Sequence, residues 1–177
     1  AANTPGQLPP GVEPGLCESG THTSVSPNWP NGCHICEVEV EPETGKVRVV
    51  DYTVAEDVGT VVNPMLLTGQ VKGGIMQGIG QVLMEEIVYD KDSGQLVSGS
   101  FMDYCMPRAD DFVANVSVSH VPVPTKTNPL GVKGGGESGT IGALPCVMNA
   151  VIDALSRLGI RNIDMPATSE KVWAAIR

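Results

Sequence analysis

Three features of the sequence predict an α+β fold. Two alternating, valine-rich runs are joined by a Pro/Gly turn, two long segments carry helical apolar spacing, and strands and helices do not alternate regularly enough for a doubly wound sheet. Mixed hairpins and helices are expected over residues 33–177, preceded by an extended Pro-rich arm over 1–32. Six prolines (5, 9, 10, 14, 27 and 30) interrupt that arm, and almost no periodic apolar pattern survives in it. It is expected to lie over another surface such as a partner chain. No internal repeat is present.

The elements follow in order. CHICEVEVE sets Ile35, Val38 and Val40 against Glu37, Glu39 and Glu41, PETG (42–45) is a turn, and KVRVVDYTVAED supplies Val47, Val49, Val50, Tyr52 and Val54. Two β-rich runs around such a turn form a hairpin. GQVKGGIMQGIGQVLMEEI (69–87) reads as a helix, with Val71, Ile75, Val82 and Leu83 at helical spacing and Gln70, Gln77 and Gln81 on one face. Five glycines in that helix would cost about 1 kcal/mol each against alanine. Close packing on another backbone, or close approach of a ligand, would offset this. Residues 87–101 read as a second hairpin with its turn at DKDSG. VSVSHVPV (116–123) is a short strand that Pro122 and Pro124 place at an edge or end. An amphipathic helix follows, its apolar side formed by Val147, Ala150, Val151, Ala154, Leu155 and Leu158. Pro145 fits a first helical turn, so this helix is expected to begin near residue 142, and Gly159 ends it. Thr168 or Ser169 caps a last short helix through Ile176.

With 177 residues the chain is long enough to bury a core. A net charge of −9 excludes a general nucleic-acid binder, which needs clustered Lys and Arg. No apolar run approaches the roughly 18 residues of a membrane helix. There is no signal-peptide pattern either, so no membrane insertion and a cytoplasmic location are expected. Five cysteines, an odd number, read as reduced thiols. A start at Ala1 without Met reads as a processed subunit or a fragment.

GVKGGGESGT (131–140) seats one carboxylate, Glu137, among five glycines. Gly134, Gly136 and Gly139 match GxGxxG formally, but no buried strand precedes them, and neither a Walker lysine nor a GxSxG elbow is formed. What remains is a glutamate on a bare turn just ahead of a helix N-terminus. Between a dipole that favours charge and a dry pocket that opposes it, Glu137 suits a general base. A capping carboxylate is the alternative.

Cys33, His34, Ile35 and Cys36 form a CxxC with Cys17 and His22 upstream, so a zinc module is an alternative reading. On an alternating strand, however, Cys33 and Ile35 point one way and His34 and Cys36 the other. Small buried thiols fit better. Asp103, Arg108, Asp110 and Asp111 read as a solvated loop, and His120 as structural. The Gln70/Gln77/Gln81 face is either plain helix surface or ligand contact.

Taken together, NPMLLTGQVKGGIMQGIGQVLMEE, GSFMDYCMPRADD, TNPLGVKGGGESGTIGALPCVMNAVIDAL and DMPATSEKVW resemble the C-terminal part of the molybdenum-binding large subunit of the xanthine dehydrogenase, aldehyde oxidoreductase and carbon monoxide dehydrogenase family. The likeness runs from about Pro30 to Arg177, with PNGCHICEVEVEPETG as the entering hairpin. It implies a molybdenum hydroxylase that oxidises a substrate carbon (an N-heterocycle, an aldehyde or similar) with water-derived oxygen. Glu137 matches the family's KGxGE glutamate and is implied as the general base. Lys133 is expected to structure its loop.

The same resemblance implies a molybdopterin cofactor, in the cytosine dinucleotide form, contacted by Gln77, Gly78 and Gly80 and by Gly134, Gly135 and Gly136. The metal would be held by the cofactor's dithiolene sulfurs, with no protein ligand to it. Family large subunits are several times longer, so a complete site needs the remaining part of the large subunit as a separate chain. An iron–sulfur subunit and a flavin subunit with FAD are expected for electron exit. A non-catalytic assembly domain that keeps the fold, or a fragment inactive without its partner, is the alternative.

Overall fold

The computed structural model describes residues 6, 8–12, 14, 15, 17, 19–24 and 26–177. Strand β1 (Asn31–Glu41) and strand β2 (Lys46–Asp57) form the predicted antiparallel hairpin, turning through 42–45. A register irregularity at Glu37/Val38 lets Val38 pair with Val49. Along β1 the even positions, His34, Cys36, Val38 and Val40, face inward. Ile35, grouped by its hydrophobicity with Val38 and Val40, instead faces out and is 64% exposed.

Strand β3 (Val116–His120) completes a three-stranded sheet of order β1-β2-β3. It lies parallel to β2, with Tyr52 opposite Val116 and Glu56 opposite His120. Parallel neighbours need a long crossover, and here it contains helix α1 (Pro64–Leu83) and the loops up to residue 115. Pro122 stops the strand, and β3 is an edge, so both readings of that segment hold.

Helix α1 starts five residues before the predicted segment. Asn63 caps it by accepting the Leu66 N–H at 3.1 Å, and Pro64 occupies the first turn, where a missing N–H is harmless. Val71, Ile75 and Val82 are fully buried, whereas Gln70, Gln77 and Gln81 are exposed. Helix α2 (Ser138–Ser156) starts four residues earlier than the position of Pro145 implied, leaving that proline inside the helix. Pro145 sits on the exposed side, as does Ile141, whose carbonyl loses its helical partner and stays open to water. By length and composition α2 could cross a membrane, which corrects the estimate that no apolar run was long enough. Its apolar character serves packing on α1 and β1, where Ala143, Val147, Val151 and Leu155 are buried. Helix α3 (Ser169–Ile176) is capped by Thr168 and docks against β2 through a buried Val172.

The second hairpin is only a tight loop. Its turn is as predicted, with Asp90 accepting from the backbone and hydroxyl of Ser93 at 2.8 and 2.7 Å. Beyond it a single bridge, Tyr89–Leu96, replaces paired strands. Asp103, Arg108, Asp110 and Asp111 are exposed around a short 3-10 turn, as expected of a solvated loop. The arm ends two residues earlier than expected, because Asn31 and Gly32 already pair in β1; before them it carries no strand or helix longer than a turn among the described residues, and Asn28 ties it to Thr127 at 2.9 Å.

The glycines of α1 divide by environment. A Cβ on Gly74 would lie 2.9 Å from the Thr140 nitrogen, and one on Gly78 only 2.6 Å from the Ala143 Cβ. These two let α2 approach α1 backbone to backbone. A Cβ on Gly73 would meet open space. Gly73→Ala is therefore expected to stabilise the chain by about 0.5–1 kcal/mol through helix propensity. Gly78→Ala should lower stability by about 1–3 kcal/mol through overpacking, despite the same propensity gain. Chemical denaturation of the two variants reads the opposite signs directly.

Candidate functional site

The glycine loop is anchored before it becomes bare. Gly59 and Gly131 cross with positive φ, 66° and 69°, and a Cβ on Gly59 would collide with the Gly131 carbonyl. Thr60 N–H donates to the Gly131 carbonyl at 3.0 Å, and Lys133 N–H to the Val58 carbonyl at 2.8 Å. The Asn128 side chain closes the turn on both backbone groups of Val132, at 2.9 and 3.1 Å.

Asp57, the last residue of β2, is the hub of this anchor. Its Oδ2 takes the Lys133 ammonium at 2.5 Å, and its Oδ1 accepts the N–H groups of Gly59 and Val123, each at 2.9 Å. The side chains of Lys133 and Asp57 are 11% and 14% exposed, so the pair is largely withdrawn from water. Lys133 thus structures the loop, as expected, and its charge is already satisfied.

Past Lys133 the backbone is open. Gly134 and Gly136 are exposed and would leave a Cβ in empty space, while Gly135 faces Val58 and Leu67. Glu137 occupies the N-cap position of α2 with φ −117° and ψ 0°. Its carbonyl accepts the Ile141 N–H at 3.0 Å, but its side chain makes no capping bond and is exposed. The capping alternative is thereby removed: the carboxylate is not used to satisfy the helix end.

Two amides from α1, two helical turns apart, flank the loop. Gln70 Nε2 donates to the Gly136 carbonyl at 2.8 Å. Gln77 Oε1 lies 3.0 Å from the Thr140 hydroxyl, which also lies 3.1 Å from the Gly74 carbonyl. That hydroxyl has one proton for two acceptors. When the proton goes to Gly74, the Gln77 amide can turn and donate to the hydroxyl oxygen instead. Gln77 can therefore present either a donor or an acceptor outward.

Gln77, Gly134, Gly136 and Glu137 thus share one exposed rim. Gly78 and Gly80 are not part of that exposed rim. Both are buried, Gly78 against Ala143 of α2, and a Cβ on Gly80 would run into Pro107 and the Glu85 carboxylate. Their absent side chains admit protein.

The zinc module is not assembled. Among the described residues no three His, Cys, Asp or Glu side chains come together to hold a metal. Cys33 is exposed, contrary to the expectation of buried thiols, whereas Cys36 of β1 and Cys146 of α2 are partly buried. Burial pushes the Cys36 thiol up to about 12, with Cys146 and Asp51 adding to it. It also raises Cys146, with Cys33 adding and a bond to Tyr52 opposing.

Two features had no local signal in the sequence. The Asp57–Lys133 pair spans 76 positions. A buried chain of polar groups also runs under α2. The Tyr52 hydroxyl meets His34 Nδ1 at 2.7 Å, and His34 Nε2 meets Glu56 Oε1 at 3.1 Å, with Glu56 only 1% exposed. Burial, then the neighbouring cysteines and Glu56, raises the Tyr52 phenol and keeps it a donor. Gly142 rests directly on the His34 ring, where a side chain would collide. His120, the last residue of β3, faces α1, its Nε2 3.4 Å from the Thr68 hydroxyl and its Nδ1 buried without a partner.

A three-stranded sheet covered by two helices thus carries a bare glycine loop that leads into an exposed carboxylate. Residues 10–113 match the model of the molybdopterin cofactor-binding domain, and the chain belongs to that family. It is 41% identical to the nicotine 6-hydroxylase large subunit of Paenarthrobacter nicotinovorans, over 96% of this chain and 20% of that one. It is 34% identical to the carbon monoxide dehydrogenase large chain of Hydrogenophaga pseudoflava, over 97% and 21%. Among solved structures, the Cu,Mo-CO dehydrogenase superposes with TM-score 0.87 at 32% identity, over 96% of this chain and 21% of that one. Quinoline 2-oxidoreductase from Pseudomonas putida 86 gives 0.74 at 42%, over 78% and 17%. The chain thus spans about a fifth of the length of these relatives.

Because the Lys133 bond above all, then the Val123 and Gly59 amides, hold the Asp57 carboxyl down from 3.8 to about 2, the loop anchor is linked to pH. A depressed carboxyl stabilises above its unfolded value and loses that contribution as pH falls through the folded one. Stability is therefore expected to drop between 3.8 and about 2 on this account. Asp57→Asn should be less stable by about 3 kcal/mol at neutral pH, since it leaves a largely buried ammonium unpaired. It should also lack this acid transition. Unfolding midpoints taken across the acid range check both statements.

Proposed function

We propose that this chain supplies one wall of the molybdenum site in a hydroxylase, with Glu137 as the general base. The substrate class proposed is an electron-poor N-heteroaromatic carbon. This choice follows the higher identities to relatives named for nicotine and quinoline, 41% and 42%, than to the carbon monoxide enzymes at 32–34%. The observation that carries the reading is the free carboxylate of Glu137, exposed at the head of α2 beside glycines that leave its approach unobstructed.

The residues present fit a pterin. That group is planar and edged with donors and acceptors. The rim offers it the Gln77 amide, which can turn either way, and the exposed backbone of Gly134 and Gly136, with the half-buried Gly135 between them. The Cys36 and Cys146 thiols, on facing sides of β1 and α2, are partly buried and held protonated, which suits a metal carried by the cofactor's own dithiolene sulfurs. When bound, the cofactor supplies the two-electron chemistry at the substrate carbon. Glu137 takes the proton of the water whose oxygen is delivered to that carbon. The Asp57–Lys133 anchor keeps its loop in place while it does so.

Completion of the site is assigned to the remaining part of the large subunit, since this chain spans only about a fifth of its relatives. The cytosine dinucleotide form of the cofactor, iron–sulfur and FAD-bearing partner subunits, and a cytoplasmic location belong to the same proposal.

The test is turnover by the assembled complex with quinoline, an aromatic aldehyde or carbon monoxide, using an artificial electron acceptor. Oxidation of quinoline in preference to the other two is expected. Glu137→Gln should lower kcat by about 10²–10⁴-fold with molybdenum content unchanged. Undiminished turnover in that variant would overturn the base assignment.

A further inference from the structure

We infer that Gln70 is a positioning residue for Glu137: its side-chain amide fixes the peptide plane through which the carboxylate is aimed. This inference rests on the reading of Glu137 as base and adds the device that orients it.

The argument starts from the freedom of the loop. Gly134 and Gly136 carry no side chain, and the space where a Cβ would sit is empty at both, so side-chain sterics do not restrict their rotation. The upstream anchor ends at Lys133, and the downstream one begins with the Ile141 N–H on the Glu137 carbonyl. Between them only two side-chain bonds hold the backbone. Ser138 Oγ lies 3.3 Å from the Gly135 carbonyl, a long contact, and Gln70 Nε2 lies 2.8 Å from the Gly136 carbonyl.

The Gly136 carbonyl belongs to the peptide group that ends in the Glu137 N–H. In a trans peptide the two point in opposite directions, so holding one sets the other and the direction of the Glu137 N–Cα bond; the Ile141 N–H on the Glu137 carbonyl holds the far side of that residue, at φ −117°, and the two together place its Cα–Cβ bond. The donor must be the Gln70 NH₂, because an amide oxygen cannot donate to a carbonyl. Gln70 itself is well placed to hold a position. It precedes Val71, which is fully buried and whose carbonyl packs directly on Gly139 of α2. The clamp therefore joins the loop to the rigid contact between the two helices. Its reach across 66 positions gives it no signature in local sequence.

The experiment uses the assembled, cofactor-loaded complex with Gln70→Met, which keeps length and removes the donor, and Gln70→Lys, which restores one. Gln70→Met should lower kcat about tenfold with KM within about twofold, the loss expected for one hydrogen bond acting on orientation alone. A crystal structure of that variant should show the Gly136 carbonyl turned and the Glu137 carboxylate displaced by about 1 Å or more. Gln70→Lys should recover both the rate and the carbonyl direction. An unchanged carbonyl and carboxylate in Gln70→Met, or equal impairment of the Met and Lys variants, would overturn the proposal. Glu137→Gln measured alongside separates the two readings. Full turnover there sinks the base assignment and leaves the structural arm to decide the clamp. Loss of turnover there with an unmoved loop in Gln70→Met sinks the clamp alone.

Discussion

The ion pair between Asp57 and Lys133 is the constraint on which the site depends. It joins the end of the central strand to the start of the glycine loop, and two further backbone donors converge on the same carboxylate. A loop of this composition has little intrinsic preference for any one path. A largely buried, multiply bonded anchor immediately before the bare stretch turns that freedom into a short, local one. The four residues that follow, Gly134 to Glu137, can then be open without being directionless.

The second constraint is the closeness of α1 and α2. Bare positions on both helices, Gly74 and Gly78 on one and Gly139 on the other, let the backbones meet. That contact brings Thr140 to Gln77 and the loop to Gln70. Glycines that would weaken a lone helix therefore strengthen the pair, through dispersion contacts at short range. Under α2, the Tyr52–His34–Glu56 chain satisfies polar groups that the sheet would otherwise bury unpaired. Gly142 allows the helix to lie flat on the imidazole.

These arrangements bear on why the Glu137 carboxylate is left without a partner. Most carboxylates close to the core have partners: Asp57 holds Lys133, Glu56 holds His34 and Glu85 accepts the Tyr104 hydroxyl at 2.6 Å. Glu137, at a position where a side chain would ordinarily cap the helix, does not do so. The loop supplies its own backbone geometry and leaves the acid group uncommitted.

Local pattern was enough to determine the hairpin, the apolar faces of both long helices, the Thr168 cap, the turn at 90–94 and the prominence of Glu137, because alternation, helical periodicity and turn chemistry act over a few residues. The same residues carried the family resemblance that the comparisons bear out. Tertiary structure alone decided the parallel pairing of β3, the early start of α2 with Pro145 on its exposed side, and the burial of Gly78 and Gly80 against protein. It alone also formed the Asp57–Lys133, Gln70–Gly136 and His34–Glu56 contacts. Those bonds join residues 22 to 76 positions apart, and pairing at such separations is chosen by how the core closes, not by the character of either neighbourhood.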